Sequence, residues 1–335
     1  MNIFLELYSL VSRTVCRVKS GLYKTKIVKP RRAPLPVVSV GNIGLGGSEK
    51  TPLVMELLAY LLGRGLKPAL VTRGYKGNWE KTGGVLSDGR TLFGTWRESG
   101  DEPFMIARDF PQAGVFIGKR RYLSSLRAKD MGFRVIVLDD AFQHLKLRRD
   151  LDIVLLNSRG RRALREGFPA LKRADILLLK KEGRESVKQK VQKRFPRLPL
   201  FEYTVVAKGL CNPHDNDLFP PALLQGKKVL ALCGIAGPER FFSLLENQGI
   251  HAAARLSFPD HYPYPRRALD RIAAVCRRHK PDALITTEKD AVKLTGRLES
   301  FTKLPFYFLK IGLDLPPPFF ETVWTILSPA LENHA

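Results

Sequence analysis

One stretch constrains this chain more than any other: Val37-Val38-Ser39-Val40-Gly41-Asn42-Ile43-Gly44-Leu45-Gly46-Gly47-Ser48-Glu49-Lys50-Thr51-Pro52. A β-branched apolar run that breaks into glycines and then meets Lys-Thr reads as a strand, a phosphate loop and the start of a helix. Gly44, Lys50 and Thr51 fit G-x-x-x-x-G-K-[ST], with Glu49 standing where the second glycine belongs. The residue types have a chemical reason. Gly44, Gly46, Gly47, Ser48 and Glu49 can turn backbone N–H groups onto phosphate oxygens, and a helix N-terminus adds its positive end. Lys50 reaches the β- and γ-phosphates and Thr51 holds Mg²⁺. Leu53, Leu57, Leu58, Leu61 and Leu62 then form an amphipathic helix closed by Gly63 and Gly65. A glycine-rich turn that binds nothing is the bland alternative.

Beyond this helix the pattern alternates. Ala69 to Thr72, Val115 to Ile117, Val135 to Leu138, Ile153 to Leu156 and Ile176 to Leu179 are short apolar runs of the kind buried in parallel sheets. This predicts a P-loop-type, mainly parallel α/β core over residues 33–199. Gly77 to Asp101, polar and glycine-containing, reads as a hairpin or active-site excursion. A smaller α/β domain is expected over 200–335, with strands at Leu200 to Val206, Val229 to Cys233, Leu284 to Thr287 and Phe306 to Ile311, and a helix opening at Pro238. A chain of 335 residues with 44% hydrophobic content has the length for two such domains.

Charge narrows the partner. Lys and Arg number 56 against 32 Asp and Glu, a net +24, which calls for an anionic partner such as nucleic acid, an anionic lipid surface or a phosphorylated substrate. No RNA-binding aromatic signature or recognition helix is present, so nucleic acid is not expected. Cys16, Cys211, Cys233 and Cys276 lack C-x-x-C spacing, which fits a reducing cytoplasm better than a disulfide framework or a zinc site. Ile3, Phe4, Leu7, Leu10, Val11, Val15, Val18 and Leu22 recur at spacings of three and four, and Lys24, Lys26, Lys29, Arg31 and Arg32 come after them. Residues 1–32 therefore read as an amphipathic helix and basic segment. A helix lying in an anionic membrane interface and one packed on the protein's own core both satisfy that pattern.

Three further stretches carry chemistry. Val135-Ile136-Val137-Leu138 ends in Asp139-Asp140, where a P-loop fold places the acid that holds Mg²⁺. Gln143 and His144 come just past the strand end, where ligands sit in open α/β sheets. Gly100-Asp101-Glu102-Pro103 lies on a loop entering a helix at Pro103, and Asp101 there suits a general base for a hydroxyl or a helix cap. Phe258-Pro259-Asp260-His261-Tyr262 fixes an imidazole on a proline-bound loop.

Together with Arg73-Gly74-Tyr75 and Thr286-Thr287-Glu288-Lys289-Asp290-Ala291-Val292-Lys293, these stretches resemble the tetraacyldisaccharide 4′-kinase family over most of the chain. The resemblance implies an ATP-dependent kinase acting on the 4′-hydroxyl of a tetraacyl glucosamine disaccharide 1-phosphate in lipid A biosynthesis, peripheral at the cytoplasmic face of the bacterial inner membrane, with no obligate protein partner. It implies Asp101 as general base assisted by His261, and Lys50, Thr51, Asp139 and Asp140 as the MgATP set. On the substrate side it implies Arg73, Tyr75, Arg121, Gln143, His144, Arg165 and Glu166.

The chain departs from the family pattern at Glu49, at Ala141 where the family has glycine, and in a shortened loop between Asn157 and Gly167. A carboxylate about 4 Å from a phosphate charge would repel it by roughly 4 kcal/mol at an effective dielectric near 20. Glu49 and the short loop motivate an alternative, a weakened paralogue that binds nucleotide or anionic lipid without efficient turnover.

Overall fold

The computed structural model describes every residue except 1–13, 17–19, 24, 26, 45–48, 157–165, 183–184, 216, 299 and 335. Most of the expected N-terminal helix, three phosphate-loop residues (Gly46, Gly47 and Ser48) and Arg165 fall outside the described residues. Of the N-terminal segment, residues 14–16 and 20–23 are helical.

The chain forms two compact units. In the first, the strands are β1 (Val37–Asn42), β2 (Pro68–Thr72), β3 (Gly84–Asp88), β4 (Gly114–Ile117), β5 (Val135–Leu138), β6 (Leu151–Leu156), β7 (Ile176–Lys180) and the first residues of β8 (Leu200–Cys211). Their order is β8-β7-β6-β1-β5-β2-β4-β3, parallel throughout except for β3, which runs antiparallel on β4. All six residues of β1 are buried, and because successive side chains point to opposite faces, both faces of the sheet are covered there. That is why the run reads as continuously apolar. The helix Lys50–Gly63 contributes Leu53, Val54, Leu57, Leu58 and Leu61 to the core, each worth roughly 1.5–3 kcal/mol of transfer free energy when fully buried.

β1 lies between β5 and β6, and this placement positions the chemistry. Two neighbouring parallel strands, β1 and β5, deliver the phosphate loop and the Asp139-Asp140 pair from their C-terminal ends, the edge of an α/β sheet where ligands bind. The Gly77 to Asp101 excursion contains β3 and the short helices Trp79–Thr82 and Trp96–Ser99. The C-terminal helix Pro317–Glu332 also belongs to this unit, with Phe319 edge-on to Phe201 and Phe320 near Tyr60.

The second unit comprises Gly100–Met105 and Val205–Gly312. Its strand order is β11 (Ala252–Ser257), β10 (Val229–Cys233), β12 (Ala283–Thr287), β13 (Phe306–Asp314), β8, with the two-residue β9 (Leu218–Phe219) antiparallel on β8. β10 pairs in parallel with β11 and β12, and β12 with β13. The helix Arg266–His279 buries Ala268, Leu269, Ile272, Ala273 and Cys276, a stripe at spacings of three and four, and leaves its arginines on the other side. Neither that helix nor β11 was expected from the sequence; β11 is an edge strand that opens on three alanines and has alternating burial.

Candidate active site

In the first unit, the Asn42 side chain donates to the carbonyl of Gly44 at 2.9 Å and so shapes the entry to the phosphate loop. Gly41 is required by packing, because a Cβ there would lie 2.5 Å from Phe142 Cβ and 2.8 Å from its backbone nitrogen. This close approach seats the Asp139-Asp140-Ala141-Phe142 turn against β1, reinforced by Ala141 N–H donating to the Val40 carbonyl. Asp140 takes the left-handed conformation at φ 47° and its carboxylate lies 3.2 Å from Lys50 Nζ. Asp139 accepts from the Thr72 hydroxyl at 3.2 Å. Ala141 is buried with an ordinary negative-φ backbone, so the turn does not need the glycine of the family pattern.

Glu49 sits at the N-cap of the helix Lys50–Gly63 with φ 51°, in the region that favours glycine. Its side chain makes no cap hydrogen bond to the helix. It accepts instead from the Tyr203 hydroxyl at 3.3 Å and lies 3.9 Å from Lys180 Nζ. The first helical turn contains no acidic residue, so its N–H groups keep the positive end suited to a phosphate. The hydroxyl of Thr51 and the carboxylates of Asp139 and Asp140 are hard oxygen donors that suit Mg²⁺. The residues present therefore fit a magnesium nucleotide.

Five of the seven residues expected on the substrate side have definite partners. Arg121, buried, donates through Nη2 to the carbonyls of Asp139 and Asp140 at 2.7 and 3.2 Å and so braces the acidic turn. Arg73 pairs with Glu80 at 2.7 Å. Gln143 donates to the Asn42 carbonyl at 2.8 Å. Glu166 is buried beside Arg173, 2.7 Å away. The His144 N–H bonds to the Ala141 carbonyl. Tyr75 is exposed, and Gly74 before it holds φ 67° where a Cβ would meet Ile117 and the Ser99 carbonyl.

The second unit holds a charged cluster around Asp101. Asp101 opens the helix Asp101–Asp109, two residues before the expected start at Pro103, and accepts from the Glu102 N–H at 3.0 Å. Asp101 thus lies in the first turn of the helix. Its oxygens lie 3.0 and 3.1 Å from Nδ1 of His261, and Lys293 Nζ is 3.3 Å from Oδ2. Burial would raise the Asp101 carboxyl, but the His261 hydrogen bond, followed by the charge of Lys289, outweighs it and holds the group at about 2. His261 and Tyr264 have φ of 59° and 51°, a loop conformation that surrounding contacts must enforce. The His261 N–H bonds to the Gly234 carbonyl and the Gly234 N–H to Asp290 at 2.7 Å.

The helix Glu288–Leu294 supplies what sequence reasoning did not assign. Thr287 caps it, accepting from the Asp290 N–H. Lys289 and Lys293, one turn apart, both reach the Asp101 loop region. Lys289 contacts Glu102, Asp260 and Nε2 of His261, and Lys293 bridges Asp101 and Asp290. The Lys-x-x-x-Lys spacing behind a strand and a threonine cap was the available signal.

Known proteins share this fold and sequence. The family described as LpxK: Tetraacyldisaccharide-1-P 4′-kinase matches residues 1–328. The tetraacyldisaccharide 4′-kinase of Desulfatibacillum aliphaticivorans is 37% identical over 329 residues, covering 92% of this chain and 88% of that protein. That of Pelobacter propionicus is 35% identical, covering 96% and 91%. The crystal structure of LpxK from Aquifex aeolicus in complex with ATP superposes with a TM-score of 0.76 at 29% identity, covering 96% of this chain and 97% of that one. The chain belongs to the tetraacyldisaccharide 4′-kinase family.

Proposed function

We propose that Asp101, oriented by His261, takes the proton of the acceptor hydroxyl, while Lys50, Thr51, Asp139 and Asp140 hold MgATP for transfer of its γ-phosphate. As a member of its family the chain is an ATP-dependent kinase of a lipid A precursor. The observation that carries the assignment of the base is the buried Asp101 carboxylate with His261 Nδ1 3.0 Å away. A carboxyl held at about 2 is always in the ionised form a base requires. It binds a proton weakly, which suits a loose phosphoryl-transfer transition state in which the acceptor proton leaves late and position outweighs basicity. Lys50 and the uncapped helix N-terminus offset charge on the phosphates. Mg²⁺, when bound, neutralises phosphate oxygens. Arg73, Tyr75, Gln143, His144 and Glu166 form the acceptor side of this reading, and Arg121 acts by fixing the backbone of Asp139 and Asp140.

Glu49 gives no support to a weakened paralogue, since its carboxylate is engaged by Tyr203 and faces the Lys180 ammonium. The acceptor is an anionic disaccharide lipid at the cytoplasmic face of the inner membrane, where the net +24 charge draws the protein to the surface. No helix among the described residues is long and apolar enough to cross a membrane. The test is transfer of γ-labelled phosphate to a tetraacyldisaccharide 1-phosphate in anionic vesicles. Label on the 4′ oxygen, with transfer that weakens as salt rises, is expected. Label released only as inorganic phosphate would refute the kinase reading, and salt-independent transfer would refute the surface reading.

A further inference from the structure

The two sides of the His261 ring place opposite demands on its nitrogens. Both Asp101 oxygens lie within hydrogen-bond reach of Nδ1, at 3.1 and 3.0 Å. An ionised carboxylate only accepts, so Nδ1 must carry the proton. On the far side Lys289 Nζ lies 3.0 Å from Nε2. The same ammonium is 3.2 Å from a Glu102 oxygen and 3.2 Å from an Asp260 oxygen. These contacts keep it charged, and an ammonium only donates, so Nε2 must present its lone pair. Burial alone would lower the lysine, yet the carboxylates of Glu102, Asp101 and Asp260 push it above the ordinary lysine value.

We infer that Lys289 is a positioning residue for His261: by donating to Nε2 it holds the ring neutral with its single proton on Nδ1, aimed at Asp101. The charged groups described around the ring enter this balance. Asp101 touches Nδ1, Asp260 Oδ2 lies 3.9 Å from Nε2, and Glu102 acts through Lys289. Lys293 acts through Asp101, and Asp290 through Lys293. These carboxylates would by themselves favour an imidazolium; Lys289 is the cation in direct contact with the ring that opposes it. A neutral ring orients Asp101 without adding a further positive charge that would weaken its hold on the acceptor proton. The helix Glu288–Leu294 and its threonine cap therefore serve to set a proton on one ring nitrogen.

The inference deepens the reading of Asp101 as the base and rests on it for its catalytic meaning, but the ring proton is observable without turnover. Long-range ¹H–¹⁵N spectra of the full-length protein, with the His261 signals assigned by their loss in His261→Gln, report both ring nitrogens. At pH 7.5 the parent is expected to show a protonated Nδ1 and a bare Nε2. In Lys289→Met, with the carboxylates left and the cation at Nε2 gone, the ring should take up a second proton. Its kcat/KM should then acquire an acid limb that the parent lacks. Lys289→Arg, which restores a cationic donor, should remove the limb. A parent ring protonated at Nε2 at pH 7.5 overturns the inference, as does a Lys289→Met ring that takes up no second proton. If Lys289→Met fails to fold, the parent spectrum decides. The expected spectrum in a parent without kinase turnover would uphold the tautomer and sink the role of Asp101 as base, so the two claims fail separately.

Discussion

Glu49 is the residue at which sequence and structure diverge most usefully. A carboxylate directed at the phosphates would cost roughly 4 kcal/mol, near a thousandfold in affinity. The structure instead gives it to Tyr203 and Lys180, on β8 and β7. What remains is its backbone, at φ 51°, a strain of order 1–3 kcal/mol for a residue with a side chain. Glu49→Gly is therefore expected to change MgATP affinity by less than about threefold, measured by calorimetry, because relief of backbone strain stabilises the free and the nucleotide-bound protein alike. A gain approaching a thousandfold would mean the carboxylate does face the phosphates. Asp101 supports a second prediction at this scale. Its carboxyl falls from an ordinary 3.8 to about 2 in the folded protein, so its contribution is present above pH 3.8 and lost as pH falls through 2. The drop corresponds to about 2 kcal/mol in a largely buried group. Denaturant unfolding between pH 5 and 2.5 should show the parent losing most of that, about 1.5 kcal/mol, relative to Asp101→Asn. Parallel curves would contradict the shift.

Among the elements, the buried parallel strands were legible because they are covered on both faces and read as unbroken apolar runs: Val135 to Leu138 and Ile176 to Leu179 fall within β5 and β7. β11 was not, since Ala252, Ala253 and Ala254 have no strand signature and an edge strand needs none. The acidic turn was legible as composition, but its bracing was not. Nothing in the spacing says that Arg121 donates to the carbonyls of Asp139 and Asp140, or that Lys289 and Lys293 gather around Asp101, because those contacts join residues far apart in the chain. Gly41 shows what packing adds. A methyl group there would press on Phe142 Cβ and backbone, so Gly41→Ala should destabilise the protein by about 1–3 kcal/mol. By displacing the turn behind Lys50 and Thr51 it should also weaken MgATP binding. Chemical denaturation and nucleotide titration check both, and a variant that binds as tightly as the parent would uncouple Phe142 from the acidic turn.

For the whole molecule, two α/β units divide the chemistry. The first carries the phosphate loop and the acidic turn, with oxygen donors and an uncapped helix end; the second carries a carboxylate held ionised by a histidine and two lysines. A base acts on the acceptor hydroxyl and not on the nucleotide, so the central claim is tested by separating the two. The measurement is single-turnover phosphoryl transfer to the disaccharide lipid by Asp101→Asn, alongside its MgATP dissociation constant. The account predicts transfer slower by roughly 10²- to 10⁴-fold with nucleotide affinity nearly unchanged. Transfer at the parent rate, or loss of nucleotide binding in step with loss of transfer, would contradict it.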